Sequence, residues 1–264
     1  MLRSVNELRG LTIHATDDEI GRVDEFFFDD QRWSIRYMVV NTGSWMLPET
    51  VLISPRSIRA VDWDGQRVEV NLTRQQVQTA PSTAADRPVS RQMEYAHAAY
   101  YEYDPYWNGP SLWGGMGYPY AIGGTTGHIP AGMTATEREL DVERDLPKAN
   151  THLRSTREVI GYHIRASDGT IGHVADFVMD DATWAVRYLV VSTHNWWPGK
   201  QVLVAPAWIK AVSWADRTVD VDLSRETIKA GPEYDPLRLN RGYEELLYTH
   251  YQRSTYWDDA PTKR

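Results

Sequence analysis

The chain contains no cysteine, which excludes disulfides, thiolate nucleophiles and zinc–thiolate sites. No run approaches the roughly 18 apolar residues of a membrane span. Even LWGGMGYPY and PYAIGG are broken by glycine and proline. The opening stretch MLRSVNELRGLTIHATDDE lacks the apolar core of a secretory signal, so a cytoplasmic protein without membrane insertion is expected. No lysine or arginine cluster stands out, and the net charge is -8. Phosphate backbones are held by basic surfaces, so direct nucleic-acid binding is not expected. A Gly-x-Ser-x-Gly elbow, a phosphate loop and a dinucleotide fingerprint are all missing. Phenylalanine is scarce at 4 residues, against 11 tryptophans and 15 tyrosines.

What is present is a duplication. RWSIRYMVVNTGSW (Arg32 to Trp45) returns as TWAVRYLVVSTHNW (Thr183 to Trp196). Aligned from Leu2/Leu153 to Pro81/Pro232, the chain matches itself without a gap, each copy being the size of a small domain. Each copy opens with Ser-x-x-Glu (Ser4/Glu7 and Ser155/Glu158), a capping box for one helical turn that Gly10 or Gly161 can close. Strand-like runs follow: Ile20 to Phe28, Ile35 to Thr42, Val51 to Ile53, Ile58 to Trp63, and RVEVNL with Val68, Val70 and Leu72 inward. The second copy repeats them from Ile171 to Leu223. Short strands at this spacing predict a mainly β fold of two small β-barrels in tandem, since closure removes exposed strand edges.

Each barrel is expected to be followed by a short amphipathic helix. Ser90 and Asn240 are N-cap residues. Tyr243, Leu246, Leu247, His250 and Tyr251 recur at helical spacing, as do Met93, Ala96, His97, Tyr100 and Tyr101. Both segments end in Tyr-Trp, at Tyr106-Trp107 and Tyr256-Trp257. The expected organisation is barrel 1 over 1–81, helix and tail over 82–107, a Gly/Pro/aromatic and then charged linker over 108–151, barrel 2 over 152–232, helix and tail over 233–257, and a disordered C-terminus over 258–264.

The string I-G-x-V-x-[DE]-F-x-x-D-D-x-x-W-x-[IV]-R-Y-[ML]-V-V, from Ile20 to Val40 and again from Ile171 to Val191, resembles the PRC-barrel family. So does V-L-[IV]-x-P-x-x-I at Val51 to Ile58 and Val202 to Ile209. That domain is known from the cytoplasmic part of photosynthetic reaction-centre H subunits and from a maturation factor of the small ribosomal subunit. The Tyr-Glu-Glu…His-Tyr…Tyr-Trp tail of the second copy is similar to the tails of bacterial relatives with two barrels. The resemblance implies two PRC-type barrels that bind partners and share no single chemistry.

Candidate site residues are few. Arg36 and Arg187 lie in the most apolar strand of each copy, and a turn near Asp30-Gln31 puts Arg36 opposite Glu25 or its neighbour and Arg187 likewise opposite Asp176, as structural ion pairs. Trp197 and Trp208 occur only in the second copy, opposite Met46 and Ser57, and with Trp113, Tyr118 and Tyr120 of the linker they form the candidate interaction surface. His163 and His173 can face each other on adjacent strands, but Thr12 and Arg22 hold those places in the first copy. No catalytic residue, metal ligand or cofactor is nominated. The expected function is that of a non-enzymatic adaptor with protein partners, with barrels that pack together or a chain that forms homo-oligomers. The alternatives are an accessory of a membrane electron-transfer or reaction-centre-like complex, and a ribosome-assembly or RNA-processing accessory acting through a protein partner.

Overall fold

The computed structural model describes residues 1–45, 50–81, 89–119, 152–193 and 200–258, with only the backbone of Trp45. Trp197, Tyr120, the linker beyond residue 119 and the last six residues lie outside these. In chain order the first strands are β1 (Leu2–Ser4), β2 (Thr12–His14), β3 (Glu19–Asp29), β4 (Ser34–Asn41), β5 (Thr50–Ile53), β6 (Ile58–Asp62) and β7 (Arg67–Val70). The rest are β8 (Leu153–Ser155), β9 (His163–Ala166), β10 (Gly169–Asp180), β11 (Val186–Ser192), β12 (Gln201–Val204), β13 (Ile209–Ser213) and β14 (Thr218–Val221).

The protein is mainly β and carries two seven-stranded sheets of matching topology. One runs β5-β4-β3-β2-β7-β6 and the other β12-β11-β10-β9-β14-β13. Neighbours are antiparallel except β2 with β7 and β9 with β14, which are parallel. β4 is buried from Ser34 to Val40, as a central strand with no polar alternation must be. β7 and β14 alternate instead, with Val68, Val70, Val219 and Val221 inward. Gly21 and Gly172 sit beside register shifts in the long strands, and a Cβ there would meet the carbonyl oxygen of Asn41 or Ser192 at 2.0 or 1.9 Å. Among the described residues no ladder joins the outer strands of either sheet, so hydrogen bonding does not complete the expected closure.

The chain divides into two compact units. One comprises Glu7–Arg157 with Ala182–Ala185; the other comprises Met1–Asn6, Glu158–Asp181 and Val186–Arg264. The short first strand of each repeat therefore serves the sheet of the opposite repeat: β8 pairs with β3, and β1 pairs with β10. Leu153 of β8 joins Phe27, Tyr37, Val39, Leu52, Val89 and Met93 in one apolar cluster. The tip of the β10–β11 hairpin also belongs to the first unit. There Trp184 is 2 % exposed, 6.4 Å from the ring of Phe26, and its carbonyl accepts from the Ile35 amide at 2.9 Å.

Both expected helices form, at Arg91–Tyr100 and Arg241–Tyr251, with Ser90 and Asn240 accepting from the amides of Met93 and Tyr243 as N-caps. Each packs on its own unit, His97 edge-on to Tyr37 at 5.0 Å and Tyr248 against Trp208 at 5.4 Å. Their orientation corrects the expected stripe. Ala96 and Leu246 face outward, whereas Glu94 and Glu244 are buried. Buried hydrogen bonds to the two carboxylates outweigh the apolar area of one leucine and turn each helix. A shorter helix, Arg74–Thr79, is capped by Thr73 and Gln76, which make a reciprocal capping box; Arg225–Ala230 matches it in the second repeat. No helix among the described residues is long and apolar enough to cross a membrane.

Candidate functional site

The densest convergence of charged and aromatic groups surrounds Arg36 on β4. The residue is 1 % exposed. Its Nη2 donates to Asp29 Oδ2 at 3.2 Å and its Nη1 to the Leu112 carbonyl at 2.7 Å. The guanidinium lies 3.8 Å from the centre of the Tyr106 ring and 4.7 Å from that of Trp113. Burial pushes Arg36 below the usual guanidinium range, and Tyr106 and Asp29 oppose that shift. An arginine in such a place stays charged, because its planar cation stacks on rings while its edge donates.

The expected partners of this arginine and its counterpart are corrected. Glu25 is opposite Val39, and a bulge sets Phe27 against Tyr37 and Phe28 against Ile35. Arg36 thereby slips towards the turn and meets Asp29. In the second repeat Asp176 is opposite Val190, and Arg187 pairs with Asp180 at 3.4 Å. Glu25 and Asp176 instead accept hydroxyl hydrogen bonds from Ser155 and Ser4.

Behind Arg36 lies a clasp that both repeats build. Glu94 is 1 % exposed, accepts the Tyr106 hydroxyl at 2.5 Å, and pairs with Arg91 at 3.2 Å. Arg91 in turn covers Trp107 at 4.2 Å. Burial pushes the Glu94 carboxyl up to about 7. In the second repeat Glu244 accepts from Tyr256 at 3.0 Å and from Tyr188 at 2.8 Å, and pairs with Arg241 at 3.0 Å. There Arg187 covers Tyr256 at 4.0 Å and Arg241 covers Trp257 at 3.9 Å. This explains why each tail ends in Tyr-Trp: the tyrosine joins the strand arginine to the helix glutamate, and the tryptophan caps the helix arginine. The Arg-x-x-Glu spacing at the start of each helix was the available sequence signal.

Among the described residues, the first repeat adds a further layer. Arg32 donates to the carbonyls of Tyr106, Gly109 and Ser111 at 3.2, 3.0 and 2.6 Å. Arg56 donates to the Trp113 carbonyl at 2.9 Å. With Arg36, three arginines thus hold the Gly/Pro-rich segment by its backbone. Trp113 is 1 % exposed, and its indole donates to the Thr183 carbonyl at 2.8 Å. His97 Nε2 donates to the Leu52 carbonyl at 3.0 Å, and burial pushes the imidazole down to about 4. The space enclosed by Arg36, Arg56, His97, Tyr103, Tyr106 and Trp113 admits about one water molecule. Arg36 Nε faces no partner among the described residues. A second, open groove of about 400 Å³ lies along Glu19, Arg22, Asp24, Asn41 and Thr42.

The proposed interaction surface divides. Trp208 is 3 % exposed and packs on Tyr248 and Tyr251, and Trp113 is core, so neither presents a surface. Sequence could not show this, because the rings that cover Trp208 come from a helix about forty residues further on. Tyr118 is 42 % exposed, and Met116 close by is 39 % exposed. The register does place His163 opposite His173, yet no three His, Asp or Glu side chains gather as a metal site among the described residues. Asp29 Oδ1 accepts from the amides of Gln31 and Arg32 and so shapes the turn.

Chemically, the Arg36 niche is a polar network closed by its own members. Its cation is engaged by a carboxylate, a carbonyl and two rings, and its glutamate by a tyrosine and an arginine. Such an arrangement holds segments in place. Against the models of known protein families and the curated proteins, the chain gives no match.

Proposed function

We propose that the chain is a non-enzymatic adaptor in which two PRC-type barrel modules present surfaces to a protein partner. The observation that carries this reading is the stapled segment at Gly109 to Met116. Three arginines and a buried tryptophan fix its backbone, while Met116 and, just beyond it, Tyr118 stay exposed. A rigid base under exposed flexible-apolar and aromatic side chains suits recognition, because little conformational freedom is lost on docking.

The test is parallel affinity capture from the native host with the wild-type chain and a Met116→Asp/Tyr118→Ala variant, followed by mass spectrometry. The expected result is a protein recovered with the wild type and depleted at least tenfold with the variant. Recovery of the same proteins by both chains would refute the reading.

A further inference from the structure

The strands β1 and β8 have the same sequence, Leu2-Arg3-Ser4 and Leu153-Arg154-Ser155. They also sit in their sheets in the same way. Leu2, Arg3 and Ser4 oppose Asp180, Met179 and Val178; Leu153, Arg154 and Ser155 oppose Asp29, Phe28 and Phe27, the equivalent positions of the other repeat. Arg3 Nε meets Asp181 at 3.1 Å and Arg154 Nε meets Asp30 at 3.0 Å. The Ser4 hydroxyl donates to Asp176 and the Ser155 hydroxyl to Glu25. The amides of Asp181 and Asp30 donate to the carbonyls of Met1 and His152, each at 2.9 Å.

Each slot therefore reads its strand by three equivalent devices: a backbone ladder, an arginine–aspartate pair and a serine–carboxylate bond. In each case the strand comes from the repeat that does not build the rest of the sheet. Nothing in this recognition depends on which repeat carries the tripeptide. It depends on Leu-Arg-Ser in extended form, and every further copy of the chain supplies two such strands.

We infer that the two slots are donor-strand sites, and that their partner in assembly is a second copy of this chain, joined by exchange of Leu-Arg-Ser strands. Strand addition draws affinity from main-chain bonds and specificity from alternate side chains, as these slots do. Within one chain the tethered strand competes at an effective concentration of order millimolar. Exchange is therefore set during folding, when slots are empty, and grows with protein concentration. The inference is independent of the adaptor role.

The wild-type chain, unfolded in denaturant and refolded at rising concentration, is expected to give a growing fraction of dimers that persist on dilution. An excess of the peptide MLRSVNEL during refolding should suppress them at least tenfold, and a scrambled peptide should not. To identify the contact, Leu2→Cys and Asp180→Cys are introduced together, which is clean because the chain has no other cysteine. The register and the flanking amide bonds make this a non-hydrogen-bonded pair, with Cα atoms about 4.5 Å apart and within disulfide reach. Oxidation after refolding should give disulfide-linked dimers in proportion to concentration. Monomers alone at every concentration overturn the inference, as do dimers that neither respond to the peptide nor become cross-linked.

Discussion

The Tyr106 hydroxyl donates to the buried Glu94 carboxyl at 2.5 Å, and that bond ties the tail to the helix. In the second repeat Glu244 has two tyrosines, Tyr256 and Tyr188. Tyr106→Phe is therefore expected to destabilise the first unit by about 1–3 kcal/mol, the cost of leaving a buried carboxyl short of a hydrogen bond. Tyr256→Phe should cost less, because Tyr188 remains. Urea unfolding of the two variants measures the difference, and equal losses would show that the clasp is not held this way.

Arg36→Met removes a cation that is 1 % exposed and strips the partner from Asp29, which is 3 % exposed. The expected loss is about 3–5 kcal/mol. Arg36→Lys should recover little, since an ammonium cannot stack between two rings while donating to Asp29 and to the Leu112 carbonyl. Arg187→Met, whose side chain keeps 24 % exposure, should cost about 1 kcal/mol or less, because a partly exposed pair is screened. A lysine variant as stable as wild type in chemical denaturation would contradict the stacking account.

His97 makes the stability of the first unit depend on pH. Its imidazole is pushed down to about 4 in the fold, while in the unfolded chain it titrates near the ordinary histidine value of about 6.5. Between these values the unfolded state binds the extra proton, so this contribution is complete above about 6.5 and lost as pH falls towards about 4. Glu94, pushed up to about 7, acts oppositely, its contribution being present in acid and lost as pH rises through about 7. His97→Leu installs the residue found at Leu247 in the second repeat. The variant should gain on wild type by up to about 3 kcal/mol as pH is lowered from 7 to 4. Denaturation midpoints at several pH values test this, and a gap that stays constant with pH would contradict it.

Trp113→Ala removes the ring beneath Arg36 and leaves the Thr183 carbonyl without its indole donor. Large-to-small core changes of this kind cost about 3–5 kcal/mol. Here the loss should be concentrated at Gly109 to Met116. Limited proteolysis is expected to cut that segment in the variant at protease levels that leave the wild type intact.

Much of this architecture was legible in the sequence. The duplication fixed two similar units, alternation located β7 and β14, and Ser90 and Asn240 marked the helix starts. The failures have physical causes. Leu246 fits the apolar stripe by its spacing, but Glu244, bonded to Tyr188, Tyr256 and Arg241, takes the inner face. Counting back from the turn matches Arg36 with Glu25, and a bulge breaks such a count. Trp208 is a surface candidate only because it stands in the second copy alone, and the rings that bury it are remote in sequence. The destination of β1 and β8 was unreadable for a different reason. The two strands are identical over three residues, and either sheet offers an aspartate for the arginine and a carboxylate for the serine, so sequence carries no preference between a strand's own repeat and the other.

The place of Trp184 has a consequence for biosynthesis. The first unit needs β8 along β3 and the Trp184 indole over Phe26 to complete its core. Both arrive late in the chain. As translation proceeds, β2 to β7 emerge with an open sheet edge and an unfilled apolar face, and they must wait for residue 185 to clear the ribosome before the first unit can close.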